Sequence, residues 1–244
     1  AEFEAVSIEV FRHQYHKNCV YRNFCRHLNV EPTEINKISD IPFLPIQFFK
    51  THKVLVKGIV PQIVFTSSGT TGQPTSKHII GDLTLYEQSF QKTFRQFYGA
   101  PEKWIFLALL PSYLEREGSS LIYMVQHLIK KSNDPLSGFY LNDLDALKEA
   151  IIAGVKTSKK IMLIGVSFAL LDLVEKFKFQ LKNTVVMETG GMKGRRKEMI
   201  REELHTILKD GFGLKHIHSE YGMTELLSQA YSKGEGLFEC PPWM

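Results

Sequence analysis

The stretch of sequence that decides the fold is Phe65-Thr66-Ser67-Ser68-Gly69-Thr70-Thr71-Gly72-Gln73-Pro74-Thr75-Ser76-Lys77. An apolar run, Ile63-Val64-Phe65, leads into a loop of Ser, Thr and Gly residues. Glycines let backbone N–H groups approach and point at an anion, and hydroxyls add donors with little bulk. The stretch therefore predicts a strand followed by a phosphate-binding loop, with an ordinary polar turn as the alternative. It is not a Walker loop, because no Lys-Ser or Lys-Thr follows the second glycine.

Composition indicates an ordinary soluble globular protein. The chain has 244 residues, of which 43% are hydrophobic and 23% charged, enough for one large domain with a substantial core. The net charge of +4 does not call for a nucleic-acid partner. No apolar run has the length of a membrane span, and the first residues lack the features of a signal peptide. Three scattered cysteines do not make a disulfide framework, so we expect the reducing cytoplasm as the compartment.

Two regions are predicted. Residues 1–60 form a helical and extended segment packed on the main domain, and residues 61–244 form a nucleotide-binding α/β region. Apolar residues at helical spacing predict a helical stretch over 3–28. Pro42 and Pro45 favour an extended crossing, and a strand is predicted over 54–56.

From Ile63 onward, apolar runs alternate with helical patterns. Strands are predicted over 63–65, 104–110, 161–164, 184–187 and 214–218, and helices over 83–98, 121–131, 143–153, 168–178 and 195–209. This alternation predicts an α/β fold with mostly parallel sheets and helices on both faces.

Loops rich in Gly, Ser or Thr follow the carboxyl ends of the predicted strands, at 66–72, 111–120, 165–167, 189–191 and 219–225. Ligands of parallel sheets gather at this edge. The sequence therefore predicts one nucleotide-sized cleft built from five loops.

Two motifs together resemble the adenylate-forming superfamily of acyl-CoA synthetases, luciferases and peptide-synthetase adenylation domains. The first is Ser-Ser-Gly-Thr-Thr-Gly-x-Pro at 67–74, and the second is Tyr-Gly-x-Thr-Glu at 221–225. Glu188-Thr189-Gly190-Gly191 is a third match. The segments 110–120, 164–171 and 219–229 are similar to the acyl-protein synthetase branch, which contains the fatty-acid-activating component of the bacterial luciferase system. The resemblance extends over nearly the whole chain.

The resemblance implies ATP and Mg²⁺ as cofactors and gives roles to the matching positions. The implied nucleotide-binding residues are Ser67, Ser68, Gly69, Thr70, Thr71, Gly72, Lys77, Gly190, Gly191, Tyr221 and Thr224. The implied catalytic residues are Thr224 and Glu225, with Glu225 as the Mg²⁺ ligand. The implied acyl side consists of Tyr113, Gly118, Ser119 and Ser167. Lys77 departs from the common pattern, in which Lys directly follows Pro74.

The function implied by the resemblance is activation of a carboxylic acid, in particular a fatty acid, as an acyl-adenylate, followed by transfer to a thiol. The acceptor is a protein cysteine, phosphopantetheine or coenzyme A. The chain reads as a large N-terminal domain without the C-terminal part of the superfamily, so we expect incomplete activity. The alternatives are a non-catalytic adenine-nucleotide-binding module and a relative of the aryl-CoA ligases.

Overall fold

A computed structural model describes residues 2–67, 75–111, 118–190, 192 and 196–244. Seven of the implied site residues lie outside the described residues. They are Ser68, Gly69, Thr70, Thr71, Gly72, Tyr113 and Gly191.

Six of the eight strands in the described residues form one sheet, in the order β4-β3-β5-β6-β7-β8. The strands are β1 (Ile63–Thr66), β2 (Lys77–Ile80), β3 (Trp104–Leu109), β4 (Gly138–Phe139), β5 (Lys160–Gly165), β6 (Thr184–Glu188), β7 (His218–Gly222) and β8 (Gln229–Ser232). Every neighbouring pair in this sheet is parallel except β7 with β8. The predicted mostly parallel α/β sheet is confirmed.

Eight α-helices lie in the described residues. They are α1 (Glu2–Lys17), α2 (Cys19–His27), α3 (Phe48–Thr51), α4 (Leu83–Tyr98), α5 (Ser120–Ser132), α6 (Leu144–Val155), α7 (Ser167–Lys176) and α8 (Arg201–Phe212). Phe94 of α4 packs on Phe106 of β3, with ring centroids 5.3 Å apart. A Cβ on Gly154 of α6 would lie 3.3 Å from Ile105 of the same strand. Because Ile105 and Phe106 point to opposite sides of the sheet, helices cover both faces, as predicted.

The core sits on the central strands. Every residue of β3 is buried, as are five of the six residues of β5. Such continuous apolar runs are typical of strands covered on both faces. Burial of these strands holds the sheet together, and the polar loops that follow them lie at the edge formed by the strand ends.

The segment around the phosphate-like loop differs from the prediction. We expected a strand, a loop and then a helix, but β1 pairs antiparallel with β2, a strand the sequence reading missed. The loop thus joins the two strands of a hairpin that stands apart from the main sheet. β2 begins with the polar residues Lys77 and His78, so it lacks the apolar pattern from which a strand is predicted. It forms a strand because it pairs with β1.

Three further predictions of strands and helices were wrong. No strand forms over 54–56. The strand predicted over 214–218 is displaced, because β7 begins at His218 and extends to Gly222. The helix predicted over 195–209 begins only at Arg201, and Arg196 instead forms ion pairs with Asp172 and Glu175 of α7.

The first part of the chain has an apolar cluster of its own, made of Phe11, Tyr15, Tyr21, Cys25 and Ile35. The predicted helical stretch is two helices, because the Asn18 side chain caps α2 by accepting from the N–H groups of Val20 and Tyr21. Phe49 then reaches the hairpin, with its ring 5.2 Å from that of His78.

Candidate functional site

A cavity of about 270 Å³ opens at the edge of the sheet where the polar loops meet. The described residues that line it are Thr66, Ser67, Tyr86, Ser119, Ser120, Leu121, Thr189, Glu220, Gly222, Met223, Thr224, Glu225 and Gln229. Four of the five predicted loops therefore contribute to one cavity. The fifth, 165–167, supplies no described lining residue.

The hairpin lies directly beside the turn that carries Thr224 and Glu225. His78 of β2 donates a hydrogen bond from Nδ1 to the carbonyl oxygen of Thr224, 2.9 Å away and 146 positions later in the chain. At the base of the hairpin loop, the Ser76 N–H donates to the Ser67 hydroxyl over 2.9 Å. Burial lowers the pKa of His78, partly opposed by this hydrogen bond and by the Glu225 charge.

Gly118 holds the start of α5 against β1. It has a φ of +85°, and a Cβ there would come 2.9 Å from the Val64 carbonyl oxygen, so the position needs glycine. The Thr66 N–H donates to the Gly118 carbonyl oxygen over 2.8 Å. Ser119 follows as the N-cap, its hydroxyl accepting from the Ile122 N–H. This contact brings the positive end of a helix dipole beside Thr66 and Ser67 in the cavity wall, an arrangement that favours anions.

The other implied residues lie around this wall rather than in it. Lys77 is exposed on β2, opposite Thr66. Tyr221 is 43% exposed, with its ring 6.0 Å from that of Phe238. Gly190 has a φ of +76°, and no atom of the described residues lies within 4 Å of where a Cβ would stand, so these residues leave its backbone open to a ligand. Ser167 is buried at the first turn of α7.

Glu188 anchors the turn that follows β6. Its buried carboxylate accepts from the Gly190 N–H at 2.6 Å and lies 3.4 Å from the Ser167 hydroxyl. On the other oxygen it faces Arg201 at 3.4 Å and His205 at 3.7 Å. Burial alone would raise the pKa of Glu188, but these donors and Ser219 outweigh it and lower the pKa. The sequence reading quoted Glu188 only as part of a turn and missed this role, although an acidic residue closing an apolar strand was a usable signal.

Glu220, Tyr86 and Gln229 are functional candidates that the sequence reading missed. Glu220 and Gly222 share one face of β7, and Gln229 pairs with Gly222 across the ladder to β8. The Glu220 carboxyl is packed so closely that a Cβ on Gly222 would lie 2.7 Å from it. Tyr86 lies on α4, and the helical pattern of the sequence predicted it only as a core residue.

The half-buried Glu220 is mostly protonated at neutral pH. Burial, and then repulsion by Glu188, raise the pKa of Glu220 to about 8. A carboxyl whose pKa is raised in the folded protein takes up a proton on folding. Its contribution to the free energy of unfolding is fully present below the ordinary pKa of 4.5 and is lost as the pH rises to about 8.

We expect Glu220→Gln to remove this loss, because the amide stays neutral. The free energy of unfolding of Glu220→Gln should rise relative to the native protein by about 1–3 kcal/mol between about pH 5 and about pH 9, a value below the full shift because the carboxyl reaches the cavity. Denaturant unfolding across that pH range measures it. Glu149→Gln, on an exposed side chain of α6, is the control, and parallel pH profiles for all three proteins would contradict the assignment.

Comparison with known families adds to this geometry. Residues 2–89 match the family model described as Acyl-protein synthetase, LuxE. The match covers about a third of the chain and includes the stretch 65–77, and it supports the resemblance to the acyl-protein synthetase family over that part. Comparison with curated proteins gave no match.

Two further properties bear on function. None of the described helices combines the length and apolar character that crossing a membrane requires. Across the same residues, no three His, Cys, Asp or Glu side chains gather into a metal-binding group. Two carboxyl side chains, Glu220 and Glu225, are among the described lining residues. Because the pKa of Glu220 is raised to about 8, Glu225 is the better suited of the two to Mg²⁺ bound mainly by phosphate and water.

Proposed function

We propose that this protein activates a carboxylic acid with ATP, as an acyl-adenylate, for transfer to a thiol. One observation carries the proposal. Ser67 from the first motif, with Thr66 just before it, lines the same cavity as Thr224 and Glu225 from the second. Two motifs distant in sequence and matching one enzyme superfamily gain weight when their residues share a site.

The cavity suits the two anions of this reaction. Hydroxyls of Thr66, Ser67 and Thr224 and the first turn of α5 supply donors for phosphate or carboxylate oxygens. No Lys or Arg is among the described lining residues, so charge neutralisation would fall largely to Mg²⁺. When bound at Glu225, Mg²⁺ would neutralise phosphate charge and stabilise the leaving pyrophosphate.

The adenine would lie beside this cavity, between Gly190 and Tyr221. The described residues leave space for a flat ring at Gly190, and Tyr221 offers an exposed ring for stacking. The Glu188 hydrogen bond to the Gly190 N–H fixes the turn on which the base would rest. Glu188 thus acts as a positioning residue for the nucleotide.

The chemistry needs placement more than covalent help from the protein. A carboxylate oxygen of the acid attacks the α-phosphorus, the new O–P bond forms, and the bond to the bridging oxygen breaks with its electron pair leaving on pyrophosphate. A thiolate then attacks the acyl carbon and AMP leaves. Thr224 and the donors of the α5 turn would hold the two anions in line and spread their charge. The description of the matched family names an acyl group and a protein, which favours a protein as the acceptor. The resemblance of the sequence to the fatty-acid-activating branch makes fatty acids the leading substrate class.

The test is acid-dependent exchange of labelled pyrophosphate into ATP, with the complete protein and a panel of aliphatic and aromatic acids. We expect exchange that requires ATP, Mg²⁺ and an aliphatic acid. Exchange with aromatic acids alone would make the protein an aryl-acid ligase. Binding of ATP without exchange for any acid would reject the enzyme in favour of a nucleotide-binding module.

A further inference from the structure

Gln229 closes the buried end of the cavity with an unpaired oxygen. The residue is 4% exposed, and its Oε1 has no hydrogen-bond partner within the part of the chain that the structure describes. Its Nε2 donates to the Tyr86 hydroxyl over 3.1 Å. A buried carbonyl oxygen without a partner is costly in a folded protein, which indicates a missing ligand group.

The orientation of the Gln229 amide follows from a backbone carbonyl. Tyr86 donates its hydroxyl proton to the Ser120 carbonyl oxygen, 3.0 Å away, and that oxygen can only accept. The Tyr86 oxygen must therefore accept from Gln229, which turns the NH₂ group to Tyr86 and leaves the buried Oε1 without a partner among the described residues. The unpaired acceptor is thus a consequence of the Tyr86–Ser120 hydrogen bond.

A second unpaired group lies in the same wall. Thr189 Oγ1 is the other buried side-chain atom in the described residues that lacks a partner, and Thr189 also lines the cavity. Glu220 stands on the same sheet face as Gln229. Its carboxyl, protonated at neutral pH because its pKa is about 8, adds an O–H donor without a fixed charge. An acceptor, a hydroxyl and a neutral carboxyl suit a group that both donates and accepts.

We propose that Gln229 and Glu220 form a subsite for an uncharged hydroxyl at the far end of the acid, so that the protein selects hydroxylated aliphatic acids over plain alkyl chains. This inference rests on the proposed function. Phosphate and carboxylate would occupy the wall of Thr66, Ser67 and Thr224, while the base would lie outside, at Gly190 and Tyr221. The buried end at Tyr86 and Gln229 is then left for the remainder of the acid.

The test compares the affinity of the complete protein for straight-chain acids and for the same acids with a terminal hydroxyl, by calorimetry in the presence of a non-reactive ATP analogue. We expect the best hydroxylated acid to bind about tenfold more tightly than its plain counterpart, the effect of one buried hydrogen bond. Gln229→Met keeps the side-chain length but removes the acceptor, so the preference should fall to about twofold or less. Gln96→Met, at an exposed position of α4, should keep it.

A second variant tests the orientation of the amide. Tyr86→Phe removes the hydroxyl that holds the Gln229 amide in one orientation, so the preference should weaken because neither orientation of the amide is then fixed. Thermal unfolding shows whether each variant is folded; if Gln229→Met is not, Tyr86→Phe and the native preference decide.

The outcomes separate this inference from the proposed function. Equal binding of plain and hydroxylated acids, with pyrophosphate exchange intact, overturns the subsite and leaves the enzyme standing. A preference that survives Gln229→Met also overturns it. Weaker binding of 2′-deoxy-ATP or 3′-deoxy-ATP to the native protein, cancelled by Gln229→Met, would give the subsite to a ribose hydroxyl instead. If no acid binds or supports exchange, the proposed function and the subsite fail together.

Discussion

Glu225→Gln should lower acid-dependent pyrophosphate exchange at least about a hundredfold while leaving the fold intact. Glu225 is the carboxylate in the described wall that lies beside Thr224 and the hairpin. An amide of the same shape keeps the packing but loses the negative charge that would hold Mg²⁺ against the phosphates. Losing one preorganised electrostatic contact to the reacting centre typically costs about a hundredfold to a thousandfold in rate.

The control for Glu225→Gln is the same change at Glu149, which is exposed on α6 and should keep the native rate. The free energy of unfolding of both variants should stay within about 0.5 kcal/mol of the native value. Raising the Mg²⁺ concentration should recover part of the rate of Glu225→Gln, because weaker metal binding is offset by mass action. A variant that keeps more than about a tenth of the exchange rate at low Mg²⁺ would remove Glu225 from the site.

The sheet could be predicted from sequence because its central strands are long apolar runs. The runs at 104–109 and 161–165 are buried in β3 and β5, as their composition requires. The strand predicted over 214–218 followed the apolar residues up to Ile217. The observed β7 begins one residue later, at His218, and is mostly polar. It is a strand because it pairs with β6 on one side and with β8 on the other, and such pairing leaves no local pattern.

The starts of α4 and α5 were predicted well, and a side-chain cap marks each of them. Ser119 and Asp82 are N-caps that accept hydrogen bonds, and α5 and α4 begin right after them. α8 has no side-chain cap, and the apolar Met199 and Ile200 extended its predicted start backwards. Its end was also predicted too early, since Gly211 continues the helix by packing closely on Val174.

The cavity was predicted from the order of the loops, but its buried end was not. Residues 223–225 follow β7, and Thr189 follows β6, so the rule that loops meet at one edge of a parallel sheet places them together. Thr66 and Ser67 reach the cavity from the separate hairpin, which that rule does not cover. Tyr86 and Gln229 reach the cavity from α4 and β8, which have no motif. Their importance depends on a hydrogen bond across the fold and on an unpaired oxygen, neither of which a sequence records.

Glu188→Ala should lower the free energy of unfolding by about 3–5 kcal/mol, the usual cost of removing one partner from a buried ionic group. The change leaves His205 buried without its carboxylate and deprives the Gly190 N–H of its acceptor. Because the pKa of Glu188 is lowered in the folded protein, its contribution is present above the ordinary pKa of 4.5 and is lost as the pH falls through the folded-state value. The deficit of Glu188→Ala should therefore be largest near neutral pH and shrink in acid.

Glu188→Gln separates the charge from the hydrogen bond to Gly190. The amide oxygen can still accept from the Gly190 N–H, so this variant should lose less stability than Glu188→Ala and retain more ATP affinity. Denaturant unfolding at several pH values measures the first effect, and nucleotide titration measures the second. Glu149→Ala should stay within about 0.5 kcal/mol of the native protein. If Glu188→Ala and Glu188→Gln weaken ATP binding equally, the charge matters and the tether to Gly190 does not; if neither weakens it, Glu188 serves the fold alone.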